Sequence, residues 1–176
     1  MFKQILAGLE ASSSEIVFLA EHDVLYHPTH FYFTPVKEDV FYYNENRWFV
    51  DAKDGRALFY NAKSTSMLCA YRDLLLEHYR KRVDRVEKEG FSYRLGFEPG
   101  NHPFPRGVDA YKSEAYLSKF PSIDIRHGKN LTASRWTKEE FRNQGNLYAW
   151  TEADGVPGWG KTKGRFQEVL DAISSS

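Results

Sequence analysis

The chain has 176 residues, a length that predicts one domain with room for a sizeable core. Lysine plus arginine equals aspartate plus glutamate at 24 each, so the overall charge favours neither nucleic acid nor an anionic membrane as partner. The single cysteine, Cys69, excludes an internal disulfide and a cysteine-based zinc site, and its apolar neighbours predict a buried thiol. Because the sequence has neither a secretory signal nor an apolar run that could span a bilayer, we expect a cytoplasmic protein.

The first elements predicted along the chain are a helix and a buried strand. Apolar residues at helical spacing predict a short amphipathic helix from Phe2 to Ala11. An apolar, partly β-branched run from Ile16 to Ala20 predicts a buried strand, and it ends in Glu21-His22-Asp23. Two carboxylates one residue apart on an extended backbone point the same way. Because ligands bind at the carboxyl ends of strands in α/β sheets, this acidic pair is a candidate site for a hard divalent cation.

A hairpin and a long helix are predicted next. Val40 to Asn44, Arg47 to Asp51 and Arg56 to Tyr60 are short aromatic and β-branched runs typical of strands. The turn residues Ala52 to Gly55 join the second and third runs into an antiparallel hairpin. From Met67 to Glu89 the apolar residues recur at helical spacing, which predicts the longest helix of the chain.

The second half alternates between loops and short elements. Phe91 to Pro105 is rich in glycine, proline and aromatic residues, which predicts a loop that contains Glu98. Ile123 to Thr132 begins as a short strand and breaks at His127. Two short helical segments complete the prediction, Thr137 to Arg142 with a capping box and Arg165 to Ile173.

Together these features resemble the second half of a GT-A glycosyltransferase, a family 2-like nucleotide-diphospho-sugar transferase. The resemblance covers roughly Phe2 to Arg142, and it depends on the acid-x-acid strand, the hairpin, the long helix, Glu98 and His127. It implies an α/β fold with a partial GT-A sheet, flanking helices and a β-hairpin. Residues 1–144 would form the metal- and acceptor-binding half-domain, and residues 145–176 a Gly/Trp-rich loop and short helix of the same domain.

The resemblance also implies roles for individual residues. Mn²⁺ or Mg²⁺ would be held by Glu21, Asp23 and His127, with Glu21 in the place of the family's first aspartate. Glu21, Asp23 and Arg126 would bind the nucleotide-sugar donor, and Glu98 would be the base that deprotonates an acceptor hydroxyl. The implied activity is metal-dependent transfer of a sugar from a nucleoside-diphosphate donor to an acceptor hydroxyl. The acceptor could be a glycan, a lipid-linked sugar, a protein or a modified DNA base.

The family's first half, a βαβ unit that binds the base and ribose, has no counterpart in this sequence. We therefore expect that the chain is a fragment of a longer reading frame. The alternatives are that a partner chain supplies the missing half, or that the fold serves another function.

Two other functions fit the same residues. The first is a metal-dependent phosphoesterase or nuclease, in which Glu21, Asp23, His127 and Asp124 hold metals that activate water. The second is a non-catalytic half-domain that binds a partner through an exposed sheet edge.

Several histidines and aromatic residues have a structural and a functional interpretation. The spacing of His22, His27 and His30 fits no standard zinc site, so structural roles are favoured. Three aromatic residues could stack against sugars, namely Tyr26, Trp48 and Trp136, but packing in the core is the favoured interpretation.

Overall fold

The structure is a computed structural model that describes residues 1–91, 95, 98–100, 112–130, 132–141, 144, 147 and 149–174. Most of the predicted loop from Phe91 to Pro105, and Arg142 at the end of the predicted capped turn, lie outside these residues. The α-helices and strands of the described residues are, in chain order, α1 (Phe2–Ala11), β1 (Ile16–Phe18), β2 (Val24–Leu25), β3 (Val40–Asn44), β4 (Arg47–Asp51), β5 (Ala57–Phe59), β6 (Leu68–Tyr71), α2 (Arg72–Glu89), β7 (Lys112–Tyr116), β8 (Ser122–Arg126), β9 (Thr151–Ala153), β10 (Gly155–Val156), β11 (Gly160–Lys161) and α3 (Phe166–Ser174). Short 3-10 helices lie at Pro28–Tyr32, Thr65–Met67 and Lys138–Glu140, and the last of these has the predicted capping box of Thr137 and Glu140.

The chain folds into two compact units, each assembled from three separate segments. The first unit contains Met1–Ala20, Phe33–Asn44 and Lys63–Tyr116, and the second contains Glu21–Tyr32, Glu45–Ala62 and Leu117–Ser176. Both units combine strands with helices, which confirms the mixed α/β class. Within the described part of the chain, no helix is both long and apolar enough to cross a bilayer.

The first unit is a four-stranded sheet in the order β1-β6-β3-β7, with α1 and α2 packed on it. β3 pairs antiparallel with β6 and parallel with β7, and every residue of β3 is buried. The core joins apolar side chains of both helices to the sheet, among them Phe2, Leu9, Phe41, Leu68 and Leu75. Cys69 is buried in β6, as predicted, and burial raises the pKa of its thiol to about 12.

Two predictions in this unit are wrong in detail. The long helix begins at Arg72 rather than Met67, because Leu68–Tyr71 forms the strand β6. β6 lies between β1 and β3, and burial of its first three residues there overrides their helical spacing. The predicted strand from Ile16 to Ala20 is three residues long and half-buried, because β1 lies at the edge of the sheet.

The second unit contains a five-stranded sheet in the order β2-β8-β4-β5-β9 and a β10–β11 hairpin. The predicted hairpin is confirmed, with β4 and β5 antiparallel and Trp48 opposite Phe59. The predicted break at His127 is also confirmed, because β8 ends at Arg126, but the strand is longer than predicted and begins at Ser122. α3 supplies Phe166 to an apolar core with Trp48 and Ile123.

Five strand termini meet at one end of this sheet, which we call the site end. β4 and β8 run parallel with Asp51 opposite Arg126, so their carboxyl termini lie there together. β5 begins and β9 ends at the same level, with Ala57 opposite Ala153. β2 runs antiparallel to β8, so it begins at the site end, directly after Asp23. The loops that follow or precede these strand termini therefore all lie at the same end of the sheet.

Candidate functional site

The site end brings together three of the predicted site residues, one of which lies about a hundred positions before the other two in the sequence. Asp23 comes directly before β2, whereas Arg126 ends β8 and His127 follows it. The pairing is continuous up to this point, because the Ile125 N–H donates to the Asp23 carbonyl at 2.8 Å. The structure thus places Asp23, Arg126 and His127 at one end of a single strand pair.

Asn130 connects the two sides of this site. Its Nδ2 donates to the Asp23 carboxylate at 2.7 Å, and its Oδ1 accepts the backbone N–H of His127 at 2.5 Å. One amide thus fixes the position of the Asp23 carboxylate relative to the turn after β8. Carboxylates that ligate metals are commonly oriented by such outer hydrogen bonds.

The His127 ring has a defined hydrogen-bonding role in this turn. Its Nδ1 accepts the backbone N–H of Lys129 at 3.1 Å. A neutral imidazole that accepts through Nδ1 carries its proton on Nε2, which is then a donor. To bind a metal through Nε2, the neutral ring would have to carry its proton on Nδ1 instead, and Nδ1 could then no longer accept the Lys129 N–H. The role of His127 as a metal ligand stays a prediction, and the present geometry suits donation to an anionic oxygen.

Glu21 and Asp23 do not lie on an extended strand, so this part of the prediction is wrong. The backbone turns between them, with the Val24 N–H donating to the Glu21 carbonyl at 3.4 Å. The turn is held by Tyr26, whose hydroxyl accepts the Glu21 N–H at 3.0 Å. The two carboxyls are nevertheless coupled. Partial desolvation, followed by repulsion from Asp23 and Asp124, raises the pKa of the Glu21 carboxyl.

A buried ion-pair network of Arg47, Asp124 and Arg126 lies close enough to Glu21 for Arg47 and Asp124 to influence its carboxyl. The Asp124 carboxylate accepts from Arg47 at 3.0 Å and from Arg126 at 3.3 Å. Arg47 and Asp124 are both almost fully buried, with side-chain exposures of 8% and 6%. Two guanidinium groups against one carboxylate leave this network with a net charge of +1. Arg126, predicted to bind the donor, is therefore held in place by an ion pair before any ligand arrives.

The described residues contain no complete metal site. No group of three or more His, Cys, Asp or Glu side chains within the described ranges is arranged to hold a metal ion. Mg²⁺ in proteins is commonly held by one or two carboxylates together with substrate phosphates and water. Glu21 and Asp23 are carboxylates of this kind, whereas Asp124 is neutralised by arginine. Binding of Mg²⁺ or Mn²⁺ by Glu21 and Asp23 therefore stays a prediction.

Glu98, the predicted base, belongs to the first unit, whereas Glu21, Asp23, Arg126 and His127 belong to the second. It is half-buried there. The structure thus gathers the predicted metal and donor residues within one unit and does not include Glu98 among them. Its role stays a prediction.

Sequence reasoning missed Arg47 as part of this site. Arg47 begins β4, where an aromatic and β-branched run follows it. Its guanidinium carbon lies 4.5 Å from the centroid of the Phe49 ring. The sequence contains one signal for Arg47, a charged residue at the start of an aromatic and β-branched run. A central strand buries the charge of such a residue, which then requires a counter-ion.

Comparison of the chain with protein-family models, with curated protein sequences and with solved structures finds no match in any of the three.

The raised pKa of Glu21 predicts an unusual pH dependence of stability. The native state binds the Glu21 proton more tightly than the unfolded chain does. Ionisation of Glu21 therefore lowers the free energy of unfolding as pH rises from 4.5 through the raised pKa of the folded state. We expect Glu21→Gln to be more stable than the parent at pH 8 in EDTA, with a smaller difference at pH 4.5. Thermal unfolding by circular dichroism measures both differences.

Glu140→Gln is the control, because the change in stability expected at pH 8 has the opposite sign to that of Glu21→Gln. Hydrogen bonds from the backbone N–H groups of Trp136 and Thr137 lower the pKa of the Glu140 carboxyl. This variant should therefore lose stability at pH 8. A Glu21→Gln protein that is less stable than the parent at pH 8 would contradict the coupling of Glu21 to Asp23 and Asp124.

Proposed function

We propose that this chain is the metal-binding part of a GT-A-type glycosyltransferase, which transfers a sugar from a nucleoside-diphosphate donor to an acceptor hydroxyl. One observation carries the proposal. Asp23, Arg126 and His127, which the sequence predicts to hold the metal and the donor, lie at one end of the β2–β8 pair, and Asn130 connects the Asp23 carboxylate with the His127 turn.

The roles of the residues follow from charge and hydrogen bonding. Glu21 and Asp23 would hold Mn²⁺ or Mg²⁺, which neutralises charge on a leaving diphosphate when it is bound. The +1 charge of the Arg47–Asp124–Arg126 network compensates part of the remaining negative charge. Arg126 and the Nε2–H of His127 would donate to phosphate oxygens. Glu98, in the first unit, keeps its proposed role as base from the family resemblance alone.

A metal-dependent phosphoesterase is less well supported by the same geometry. That function would use Asp124 as a further metal ligand. Asp124 is buried and accepts from both Arg47 and Arg126, so its charge is already compensated. An additional cation beside these two guanidinium groups would be repelled.

The test is calorimetric titration of UDP and GDP into the protein, with and without Mn²⁺. We expect binding that requires Mn²⁺ and that weakens at least about tenfold in Asp23→Ala and about 10–100-fold in Asn130→Ala. The matched control is Asp84→Ala, which removes an exposed aspartate on α2 that pairs with Lys88. This control should bind like the parent.

Two results would overturn the proposal. The first is nucleotide binding of equal affinity in the parent and Asp23→Ala, which would remove Asp23 from the site. The second is metal-dependent hydrolysis of bis(p-nitrophenyl) phosphate without any sugar donor, which would favour the phosphoesterase.

A further inference from the structure

The second unit contains a cleft that the proposed metal site does not use. Its volume is about 300 Å³, and it lies where β5 begins and β9 ends. This is within the size range of small-molecule sites in proteins. Its lining combines one large aromatic ring with charged side chains, namely Trp136, Arg56, Lys163, Asp54, Glu152 and Asp154.

Trp136 is held in a fixed position beside the cleft. The guanidinium carbon of Arg56 lies 4.3 Å from the centroid of its ring. The Glu140 carboxylate accepts the backbone N–H groups of Trp136 and Thr137, which fixes the chain at this point. Arg56 is itself paired with Asp51 at 3.5 Å. Arg56 thus covers one face of the indole, and a ligand can stack only on the face that Arg56 leaves uncovered. The position of the ring is set before a ligand arrives, so it needs little ordering.

The charges of the cleft favour a neutral ligand over an anion. Two cations, Arg56 and Lys163, face three carboxylates, which leaves a net charge of −1. Lys163 is already paired with Asp154 at 2.8 Å, and Arg56 lies 3.9 Å from Asp54. A phosphate would meet unfavourable net charge here. A ligand with many hydroxyl groups can donate to the carboxylates and accept from the cations at once.

The cleft opens at the same end of the sheet as the candidate metal site. Arg126 ends β8 and Arg56 precedes β5, and in the order β2-β8-β4-β5-β9 these strands are two positions apart. Adjacent strands are about 4.8 Å apart, so the separation is about 10 Å. A chain of sugars bound in the cleft could extend along this end of the sheet to the metal site.

We propose that the cleft binds a neutral sugar ring, with the apolar face of the sugar against the face of Trp136 that Arg56 leaves uncovered and its hydroxyls hydrogen-bonded to Asp54, Glu152 and Lys163. The role of this sugar as part of the acceptor depends on the proposed function, and it selects a glycan over a protein or a DNA base. The sugar site itself depends on the cleft alone.

The test uses the whole chain in EDTA without nucleotide, so that it is independent of the metal site. The probes are the methyl glycosides of glucose, mannose, galactose and N-acetylglucosamine, followed by saturation-transfer NMR and tryptophan fluorescence. We expect at least one probe to bind with a Kd on the order of 1 mM. Trp136→Ala should weaken this binding at least tenfold, and Trp136→Phe, which keeps an aromatic face, should largely restore it.

Two controls distinguish the possible failures. Trp159→Phe alters an indole whose N–H donates to the Pro121 carbonyl away from the cleft lining, and it should bind like the parent. Asp23→Ala should also keep full sugar binding, so loss of nucleotide binding alone would leave the sugar site in place. Failure of every probe to bind at about 50 mM, equal binding by Trp136→Ala, or inorganic phosphate as the preferred ligand would each overturn the proposal.

Discussion

Replacing Asp124 with asparagine is expected to destabilise the protein by about 3–5 kcal/mol. The substitution keeps the shape of the side chain but removes the charge that compensates Arg47 and Arg126. Arg47 would then be a buried cation without a counter-ion, and its Nε already lacks a hydrogen-bond partner among the described residues. Urea unfolding at pH 7 measures the loss.

Two variants give this prediction its controls. Asp84→Asn removes an acid of the same type from an exposed pair with Lys88, and it should cost less than about 1 kcal/mol. The double variant Arg47→Met with Asp124→Leu should recover part of the lost stability, because apolar residues can replace the Arg47–Asp124 pair at little cost, whereas Arg126 still lacks its carboxylate. A loss below about 1 kcal/mol in Asp124→Asn would show that water reaches the pair.

Replacing Gly55 with alanine is expected to cost about 2–6 kcal/mol, the sum of a backbone strain and a steric clash. Gly55 ends the turn between β4 and β5 with a φ of +74°, which disfavours any residue with a Cβ atom. A Cβ atom built there lies 2.1 Å from the Thr162 carbonyl oxygen. The Thr162 hydroxyl also donates to the Gly55 carbonyl at 2.7 Å, so the two backbones have little room to separate.

Gly164→Ala separates the two contributions. Its φ of +70° is nearly the same, but among the described residues no atom lies within 4 Å of an added Cβ. This variant should therefore show the backbone strain alone, about 1–3 kcal/mol. Equal thermal stability of the Gly55→Ala and Gly164→Ala proteins would exclude the clash with Thr162.

Local patterns predicted many of the elements, whereas burial between strands decided the exceptions. The helix α1, the β4–β5 hairpin and the end of β8 follow from periodicity and turn residues that act over a few positions. Leu68–Tyr71 has the same spacing as the helix that follows it, yet it forms the central strand β6. Only its neighbours in the sheet distinguish the two states, and those neighbours are far away in the sequence.

The candidate site shows the same limit. Asp23 and His127 could be selected from the sequence because acid-x-acid pairs and histidines have recognisable chemistry. The amide of Asn130, which connects them, depends on the pairing of β2 with β8. The turn at Glu21–Asp23 depends on Tyr26, whose hydroxyl accepts a backbone N–H that a continuing strand would have used elsewhere.

The pairing of β2 with β8 also sets the order of events during synthesis. Val24 is paired with Asp124, so β2, which directly follows Asp23, waits for about a hundred further residues to be made. All segments of the first unit precede Leu117, whereas the second unit needs segments from both halves of the chain. Such distant pairing slows folding, because the intervening chain must close a large loop first. On the ribosome, the first unit can therefore fold early, and the second unit, which contains the candidate metal site and the cleft, forms last.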